Sequence, residues 1–258
     1  MKRITFVLAL VCASAAYAHD SWIAPERYTD ACGAVTLHMT SGMEFGKLDY
    51  VIEPARVSRA VVMIPGRRLN LTPERGKHSL DFHIDAPAGT SIVAIELAPK
   101  TLELTPAQVR EYLDEIDAPA GVRAAWKAHP GRWRERYTKH AKTFLRCGAP
   151  DHRTQMETDM GLELIPQGTD PTSLKPGETF RVILLGHHDL VRDVPLVLVR
   201  EGAGRVATVK PDPSGVMSFV VKDPGRYLLT ATQLRPADGK DLDWESDFTT
   251  LTFEVAAR

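Results

Sequence analysis

Between residues 33 and 99, apolar positions alternate with polar ones at the two-residue period of a β-strand. The alternating apolar residues are Val35, Leu37, Met39, Phe82 and Ile84. Segments 57–64 and 90–97 are richer in valine and isoleucine, which is typical of strands buried on both faces. Turn residues such as Pro65-Gly66 separate these runs, so the region predicts an antiparallel β domain.

The apolar period then changes to that of a helix. Thr105 is a typical N-cap, Pro106 suits the first helical position, and Gln108 completes a capping box. The apolar stripe that follows consists of Val109, Tyr112, Leu113 and Ile116. Two further helices are predicted over 122–129 and over 133–145. We therefore expect residues 103–147 to form a helical insertion.

Seven short β segments follow at the spacing of an immunoglobulin-like sandwich. They are 162–165, 179–185, 194–199, 205–209, 216–221, 226–232 and 249–255. The pattern predicts a mainly β protein with two β-sandwich domains, the second immunoglobulin-like, and a helical insertion between them. The expected units are a signal peptide (1–18), an N-terminal β domain (19–102), the helical insertion (103–147) and a C-terminal sandwich (148–258).

The chain begins with the pattern of a secretory signal. Lys2 and Arg3 precede an apolar run over 4–16, and small residues occupy the cleavage positions of Ala16-Tyr17-Ala18. We expect export through the Sec pathway to the periplasm, with cleavage after Ala18. No later run reaches the roughly 20 apolar residues that cross a bilayer, so no membrane span is expected in the mature chain.

Cleavage after Ala18 would make His19 the first residue of the mature chain. An α-amine and an imidazole on one residue form a bidentate chelate for a transition metal, and both lose their protons readily near neutral pH. Asp20 would then orient the ligand histidine by hydrogen bonding. The alternative is that His19 is an accidental consequence of where the signal peptidase cuts.

Four other histidines are candidate metal ligands. His38 and His83 lie on the polar sides of predicted strands, and if those strands are neighbours they can join His19 in a T-shaped or square site that suits Cu(II) or Ni(II). The alternative is a pair of solvated surface histidines. His187 and His188 follow a predicted strand end and indicate a second metal site in a loop, although loops also tolerate histidine without any function.

Charge and cysteine content narrow the class of protein. The formal net charge of −1 gives no basic excess of the kind that binds nucleic acid. Segment 123–146 is locally basic, which indicates either an anion or partner surface or a solvated helix face. Cys12 leaves with the signal, so Cys32 and Cys147 remain. In an oxidising compartment they predict one disulfide, the alternative being two buried free thiols.

Familiar enzyme motifs are missing from the sequence, which has no G-x-S-x-G elbow, H-E-x-x-H pair, Walker loop or G-x-G-x-x-G turn. We therefore do not predict an enzyme. One enzymatic alternative is a copper oxidase with a histidine brace, in which the amine and imidazole of His19 and a second histidine bind copper. A further alternative is a structural envelope protein that binds a partner and no metal.

Several stretches resemble a bacterial family of periplasmic proteins of unknown function, often described as components of nickel or cobalt uptake systems. They are His19-Asp20-Ser21-Trp22-Ile23-Ala24-Pro25, Glu103-Leu104-Thr105, Glu111-Tyr112-Leu113, residues 134–142, Gly161-Leu162-Glu163-Leu164-Ile165-Pro166, Asp212-Pro213-Ser214-Gly215, Pro224-Gly225-Arg226-Tyr227 and Leu251-Thr252-Phe253. The resemblance implies an N-terminal β domain, a helical insertion and a transthyretin-like sandwich. It also implies a part in nickel or cobalt uptake, with His19 as the family residue whose chemistry suits a ligand. Together with the signal and His19, the resemblance predicts a periplasmic protein that buffers Ni, Co or Cu or delivers it to a membrane permease.

Overall fold

The computed structural model describes residues 19–128 and 130–257, and the predicted signal over 1–18 lies outside them. The strands are β1 (Asp20–Pro25), β2 (Gly33–Gly42), β3 (Tyr50–Val51), β4 (Val57–Ile64), β5 (Arg67–Asn70), β6 (Glu74–Arg75), β7 (Leu80–Ala86), β8 (Gly89–Leu104), β9 (Trp133–Cys147), β10 (Leu162–Pro166), β11 (Thr179–Gly186), β12 (Asp189–Val191), β13 (Leu196–Arg200), β14 (Gly204–Val209), β15 (Met217–Val220), β16 (Gly225–Pro236) and β17 (Trp244–Val255). The α-helices are α1 (Pro106–Glu115) and α2 (Ala120–Ala128). None of the described helices is long and apolar enough to span a membrane.

The strands form three sheets. The central sheet has eight strands in the order β14-β13-β16-β17-β9-β8-β4-β5. A five-stranded sheet contains β1, β2, β7 and β6, with β3 paired to β2, and a four-stranded sheet contains β10, β11 and β12, with β15 paired to β11. The pairings within these sheets are antiparallel except that of β9 with β17, which is parallel. The chain is therefore mainly β, as the sequence predicts.

One of the smaller sheets packs on each face of the central sheet. Successive side chains of a strand point to opposite sides, so each central strand can contribute to both cores. On β8, Val93 and Ile95 pack in a core with the five-stranded sheet, whereas Ile92 packs in a core with the four-stranded sheet. On β9, Leu145 and Phe144 divide between the same two cores. The neighbours β8 and β9 therefore lie between two apolar layers.

The helical segment is shorter than the sequence predicts. The capping box at Thr105 is present, and α1 and α2 pack their apolar faces in a cluster with the stacked rings of Trp133 and Trp244. The helix predicted over 133–145 is wrong, because this segment is strand β9. The sequence leaves its charged residues as either an anion or partner surface or a solvated helix face. In the structure, two of them have partners inside the molecule, since Lys139 donates to the His19 carbonyl and Lys142 pairs with Glu163.

Two features tie distant parts of the chain together. The predicted disulfide between Cys32 and Cys147 is present and joins the start of β2 to the end of β9. The central sheet also takes strands from both sides of the predicted boundary at residue 147, since β4, β5 and β8 share it with β13, β14, β16 and β17. The two β regions are therefore connected through hydrogen-bonded strands.

Candidate functional site

The start of β1 is held firmly against the central sheet. The hydroxyl groups of Thr250 and Thr252 on β17 donate hydrogen bonds to the carbonyl oxygens of Ser21 and Ile23, at 2.7 and 2.6 Å. The ammonium group of Lys139 on β9 donates to the carbonyl oxygen of His19. These contacts fix the position of residues 19–23 in addition to the pairing of β1 with β2.

A cavity of about 590 Å³ opens beside this strand start. Its polar wall includes Asp20, Glu115 at the end of α1 and Arg205 on β14. Thr230 and Thr232 of β16 also line it, and the apolar lining comes from Phe45, Ile116, Pro195, Val197, Val199 and Phe248. The cavity therefore combines a few charged and hydroxyl groups with apolar walls, as small-molecule sites commonly do.

Asp20 directs a carboxylate into this cavity. Its Oδ1 accepts a hydrogen bond from the Thr230 hydroxyl at 3.0 Å. Burial raises the pKa of Asp20, and the charge of Lys139, the Thr230 hydrogen bond and the charges of Arg205 and His19 oppose that rise. The carboxylate thus lies where the protein only partly compensates its charge.

Glu115 is the second carboxyl of the cavity and occupies an unfavourable position. It is the last residue of α1, where the helix dipole disfavours a negative charge. Burial and the nearby charge of Asp20 raise the pKa of Glu115 to about 7, against the opposing charges of Arg205 and Lys139. The side chain keeps contact with solvent, so salt and water screen part of this repulsion.

Lys139 lies below the two carboxyls on β9. Burial lowers its pKa to about 8, although the charges of Asp20 and Glu115 act in the opposite direction. Its ammonium group also lies 5.6 Å from the ring centre of Phe248 and 5.7 Å from that of Tyr137. The site therefore places the carboxyls of Asp20 and Glu115 at the cavity wall, where they can attract a cation, with Lys139 held on the backbone of His19.

His19 lies one residue before Asp20, whose side chain lines the cavity. Its imidazole ring contacts the ring of Tyr50 edge-on, with 5.1 Å between the ring centres. His38 and His83 lie elsewhere, on the neighbouring strands β2 and β7. His38 is opposite Ala24, which lies five residues after His19. At the rise of a β-strand this spacing places His38 about 17 Å from His19.

His38 and His83 have polar neighbours of their own. His38 Nδ1 lies 2.8 Å from Asp81 Oδ1, and His83 Nε2 lies 3.4 Å from Glu74 Oε2. The register places His38 opposite Asp81 and His83 opposite Thr36, so the two histidines are diagonal neighbours. The structure therefore brings these two predicted ligands near each other but does not bring either to His19.

His187 and His188 form the turn between β11 and β12, both with left-handed backbone angles. The backbone amide of His187 donates to the Gly161 carbonyl at 2.9 Å. His188 Nδ1 lies 2.9 Å from Glu157 Oε2, and this hydrogen bond raises the His188 pKa. Over residues 19–128 and 130–257, no three side chains of His, Cys, Asp or Glu are grouped as a metal site.

A second set of buried charges lies on the opposite face of the central sheet and is closely paired. His140, which is 2 % exposed, has its two ring nitrogens 3.1 Å from carboxylate oxygens of Glu96 and Asp247. Arg59 and Arg235 pair with the same two carboxylates at 2.7 Å. A neutral imidazole has only one N–H and could donate to only one of these carboxylates. The protonated ring has two N–H groups and can donate to both, so the geometry favours protonated His140.

Lys142 and Glu163 form a further pair on that face, at 2.5 Å and with both side chains at most 2 % exposed. Lys142 also donates to the Met156 carbonyl at 3.1 Å, and Glu163 accepts from the amide and the hydroxyl of Thr158. These contacts join the loop before β10 to β9. Their role is structural, because each charged group has specific partners within the protein.

Sequence reasoning missed three groups of the candidate site, namely Glu115, Lys139 and Arg205. Glu115 had a local signal, since an acidic residue at a helix C-terminus opposes the helix dipole. Lys139 belongs to the basic segment 123–146, but nothing local distinguishes it there, and Arg205 had no signal, because the significance of both depends on strands that are distant in sequence meeting beside β1.

None of the curated proteins matches the chain. Among solved structures, a marsupial T cell receptor aligns with 90 % of this chain and 73 % of its own, at 10 % identity and a TM-score of 0.23. Immunoglobulin domains 1–4 of Sidekick-1 align with 92 % of this chain and 49 % of their own, at 11 % identity and a TM-score of 0.18.

The family comparison covers most of the sequence. The model of a domain of unknown function, DUF4198, matches residues 16–235, which includes β1, both helices, β9 and the strands that line the cavity as far as β16. The chain therefore belongs to the DUF4198 family.

Proposed function

We propose that this protein binds a divalent transition metal, Ni, Co or Cu, at the N-terminus of its mature chain. In this proposal the signal is removed after Ala18 in the periplasm, and the α-amine and imidazole of His19 hold the ion. The protein then buffers the metal or delivers it to a membrane permease, without catalysing a reaction.

The observation that carries the proposal is the fixed start of β1 beside two carboxyls. A terminal chelate gains affinity when its residue is already ordered, because less conformational entropy is lost on binding. Lys139 holds the carbonyl of His19, and the next residues are bonded to β17. Signal cleavage at Ala18 would therefore place a new amine on a rigid strand.

The charges of the cavity suit a cation. Asp20 is next to His19 in sequence, and Glu115 faces the same cavity at a helix end that disfavours its charge. A bound divalent ion would relieve the repulsion between these carboxyls and supply the partner that the protein only partly provides. Amine, imidazole and carboxylate together are donors that Ni(II), Co(II) and Cu(II) accept.

The test is calorimetric titration of the mature protein, beginning at His19, with each of the three metals. We expect a dissociation constant below about 10 μM for at least one of them, equivalent to about −7 kcal/mol. His19→Ala should weaken binding by at least about tenfold. His78→Ala is the matched control, since His78 is an exposed histidine outside the cavity.

Three outcomes would reject the proposal. Binding that is weaker than the stated limit for all three metals would leave the chain without this function. Equal loss of affinity in the His19 and His78 variants would indicate adventitious surface binding. Loss of binding in variants of His187 and His188, with the His19 variant unaffected, would place the metal in the turn between β11 and β12.

A further inference from the structure

The cavity beside His19 is much larger than a metal ion requires. Its volume of about 590 Å³ falls within the range of sites for small organic ligands, which is roughly 300–1,000 Å³. Building on the proposed function, we infer that the cavity binds a small carboxylate-bearing chelator together with the metal. The ligand would then be a metal–chelator complex, with the organic part in the cavity and the ion at His19.

The supply of protein donors supports a co-ligand. His19 offers an amine and an imidazole, and Asp20 is the adjacent carboxylate. In the part of the chain that the structure describes, no cluster of three metal-binding side chains is available to complete a coordination shell. Octahedral and square-planar ions need four to six donors, so a chelator can occupy the positions that the protein leaves open.

The charge distribution indicates an anionic chelator. Arg205 lies at the cavity wall, close enough to Asp20 and Glu115 to influence both carboxyls, and its Nη2 donates to the Glu115 carbonyl at 2.6 Å. A divalent ion near the carboxyls would take over part of their interaction with Arg205. The guanidinium would then be available to a carboxylate of the ligand, which is the anion that its planar group pairs with best.

The remaining walls suit a compact organic molecule. Thr230 and Thr232 provide hydroxyl groups along β16, and Val197, Ile116 and Phe248 provide apolar contact. Asp20 at the start of β1 is hydrogen-bonded to Thr230, and Arg205 is hydrogen-bonded to the Glu115 carbonyl, so the metal and its chelating atoms would meet these polar groups. Small hydroxy acids and amino acids, with carboxylates at one end and a short carbon skeleton, match this division.

Native mass spectrometry of the mature protein tests the inference, with nickel, citrate and histidine as probes. The samples contain Ni(II) alone, each chelator alone, and Ni(II) premixed with excess chelator. We expect a ternary complex of protein, nickel and one chelator molecule, and little retention of a chelator without nickel. Arg205→Gln should reduce the ternary complex by about tenfold relative to binary Ni(II) binding measured in the same variant, because the guanidinium that pairs with the chelator carboxylate is lost.

Two further variants keep the result interpretable. Arg205→Lys keeps the charge but loses the bidentate geometry, so it should give an intermediate amount of ternary complex. Arg67→Gln on the exposed strand β5 should behave as the unchanged protein, and circular dichroism checks that each variant is folded.

The outcomes separate this inference from the proposed function. If the protein binds Ni(II) alone but excess citrate and excess histidine simply remove the metal, the co-ligand inference is wrong and the metal site stands. If a ternary complex forms equally well in the Arg205→Gln variant, the cavity assignment is wrong. If the protein retains neither nickel nor a nickel–chelator complex, the proposed function fails as well.

Discussion

Strand β9 places adjacent residues in two contrasting regions of the molecule. Lys139 points to the start of β1, where its ammonium group donates to the carbonyl oxygen of His19, whereas His140 and Lys142 point to the opposite face of the central sheet. On the second face each charge meets partners at 2.5–3.1 Å. Beside the cavity, Asp20 and Glu115 keep raised pKa values because their surroundings compensate their charges only in part.

The difference separates charges that hold the fold from charges that are available to a ligand. Burying a charge is costly unless it is paired and hydrogen-bonded, so a well-paired network is compatible with a purely structural role. Ionisable groups with perturbed pKa values that also line a cavity are candidates for binding or catalysis. Substitution of a charged residue should therefore destabilise the protein on the face of β9 that carries His140 and Lys142, and should have little effect on stability beside the cavity.

The largest effect is expected from the disulfide, which supports both faces. Replacing Cys32 and Cys147 by serine removes a link across 115 residues, and we expect the free energy of unfolding to fall by about 4–5 kcal/mol. Denaturant unfolding of the double variant measures this loss. A loss below about 1 kcal/mol would show that the link contributes little beyond the sheet hydrogen bonds.

On the face of the central sheet that carries His140 and Lys142, Glu163→Gln should lower the free energy of unfolding by about 4 kcal/mol. The substitution leaves the buried ammonium of Lys142 without its carboxylate, and breaking a buried pair from one side costs about 3–5 kcal/mol. Replacing both residues, as Lys142→Met with Glu163→Leu, should cost clearly less than the sum of the single changes. Strict additivity of the two changes would contradict the pairing.

His140→Ala should lower the free energy of unfolding by about 3 kcal/mol. The carboxylates of Glu96 and Asp247 would still pair with Arg59 and Arg235. Burial lowers the pKa of His140, but the hydrogen bonds and charges of Asp247 and Glu96 outweigh it, so the net shift is upward. The stabilisation from His140 is therefore present below pH 6.5 and is lost as the pH rises through the folded-state pKa.

The carboxylate of Glu96 responds in the opposite direction. Burial raises its pKa, but His140 and Arg59 lower it to about 2, so its stabilisation is present above pH 4.5 and is lost as the pH falls towards 2. The hydrogen-bonded group of His140 and Glu96 should thus stabilise the folded protein most between about pH 4.5 and pH 6.5. Unfolding of the unchanged protein and the His140→Ala variant across pH 3–9 should show the difference between them shrinking at both ends.

Beside the cavity, Glu115→Gln should leave the free energy of unfolding unchanged or raise it by up to about 0.5 kcal/mol above pH 7. The raised pKa of Glu115 means that its ionised form is less favourable in the folded state, so the gain should disappear below pH 4.5. Thermal unfolding at pH 8 and pH 4 measures this. Destabilisation at pH 8 as large as that of Glu163→Gln would remove the contrast between the faces.

Much of the fold follows from local sequence patterns. The alternation around Val35 and Phe82 and the capping box at Thr105 predict strands and a helix that the structure contains. The segment 133–145 was misassigned because its polar residues have partners that come from other strands, so its alternation is masked. Sheet order was likewise beyond local patterns, since β9 pairs in parallel with β17 about 110 residues later.

The candidate site was only partly predictable, for the same reason. His19 and Asp20 stand out because of the signal pattern, which is local. Glu115 and Arg205 join them only through packing of α1 and β14 around the start of β1. The sequence predicts that His38 and His83 join His19 only if their strands are neighbours. The strands β2 and β7 are neighbours, but strand register places His38 opposite Ala24 and therefore away from His19.

The proposed metal site depends on the mature α-amine of His19 as a ligand. The most direct measurement compares the metal affinity of the chain that begins at His19 with that of a chain carrying one additional glycine before it. We expect the extension to weaken binding by at least about tenfold, or about 1.4 kcal/mol, because it converts the amine of His19 into an amide. Equal affinities of the two chains for Ni(II), Co(II) and Cu(II) would contradict it.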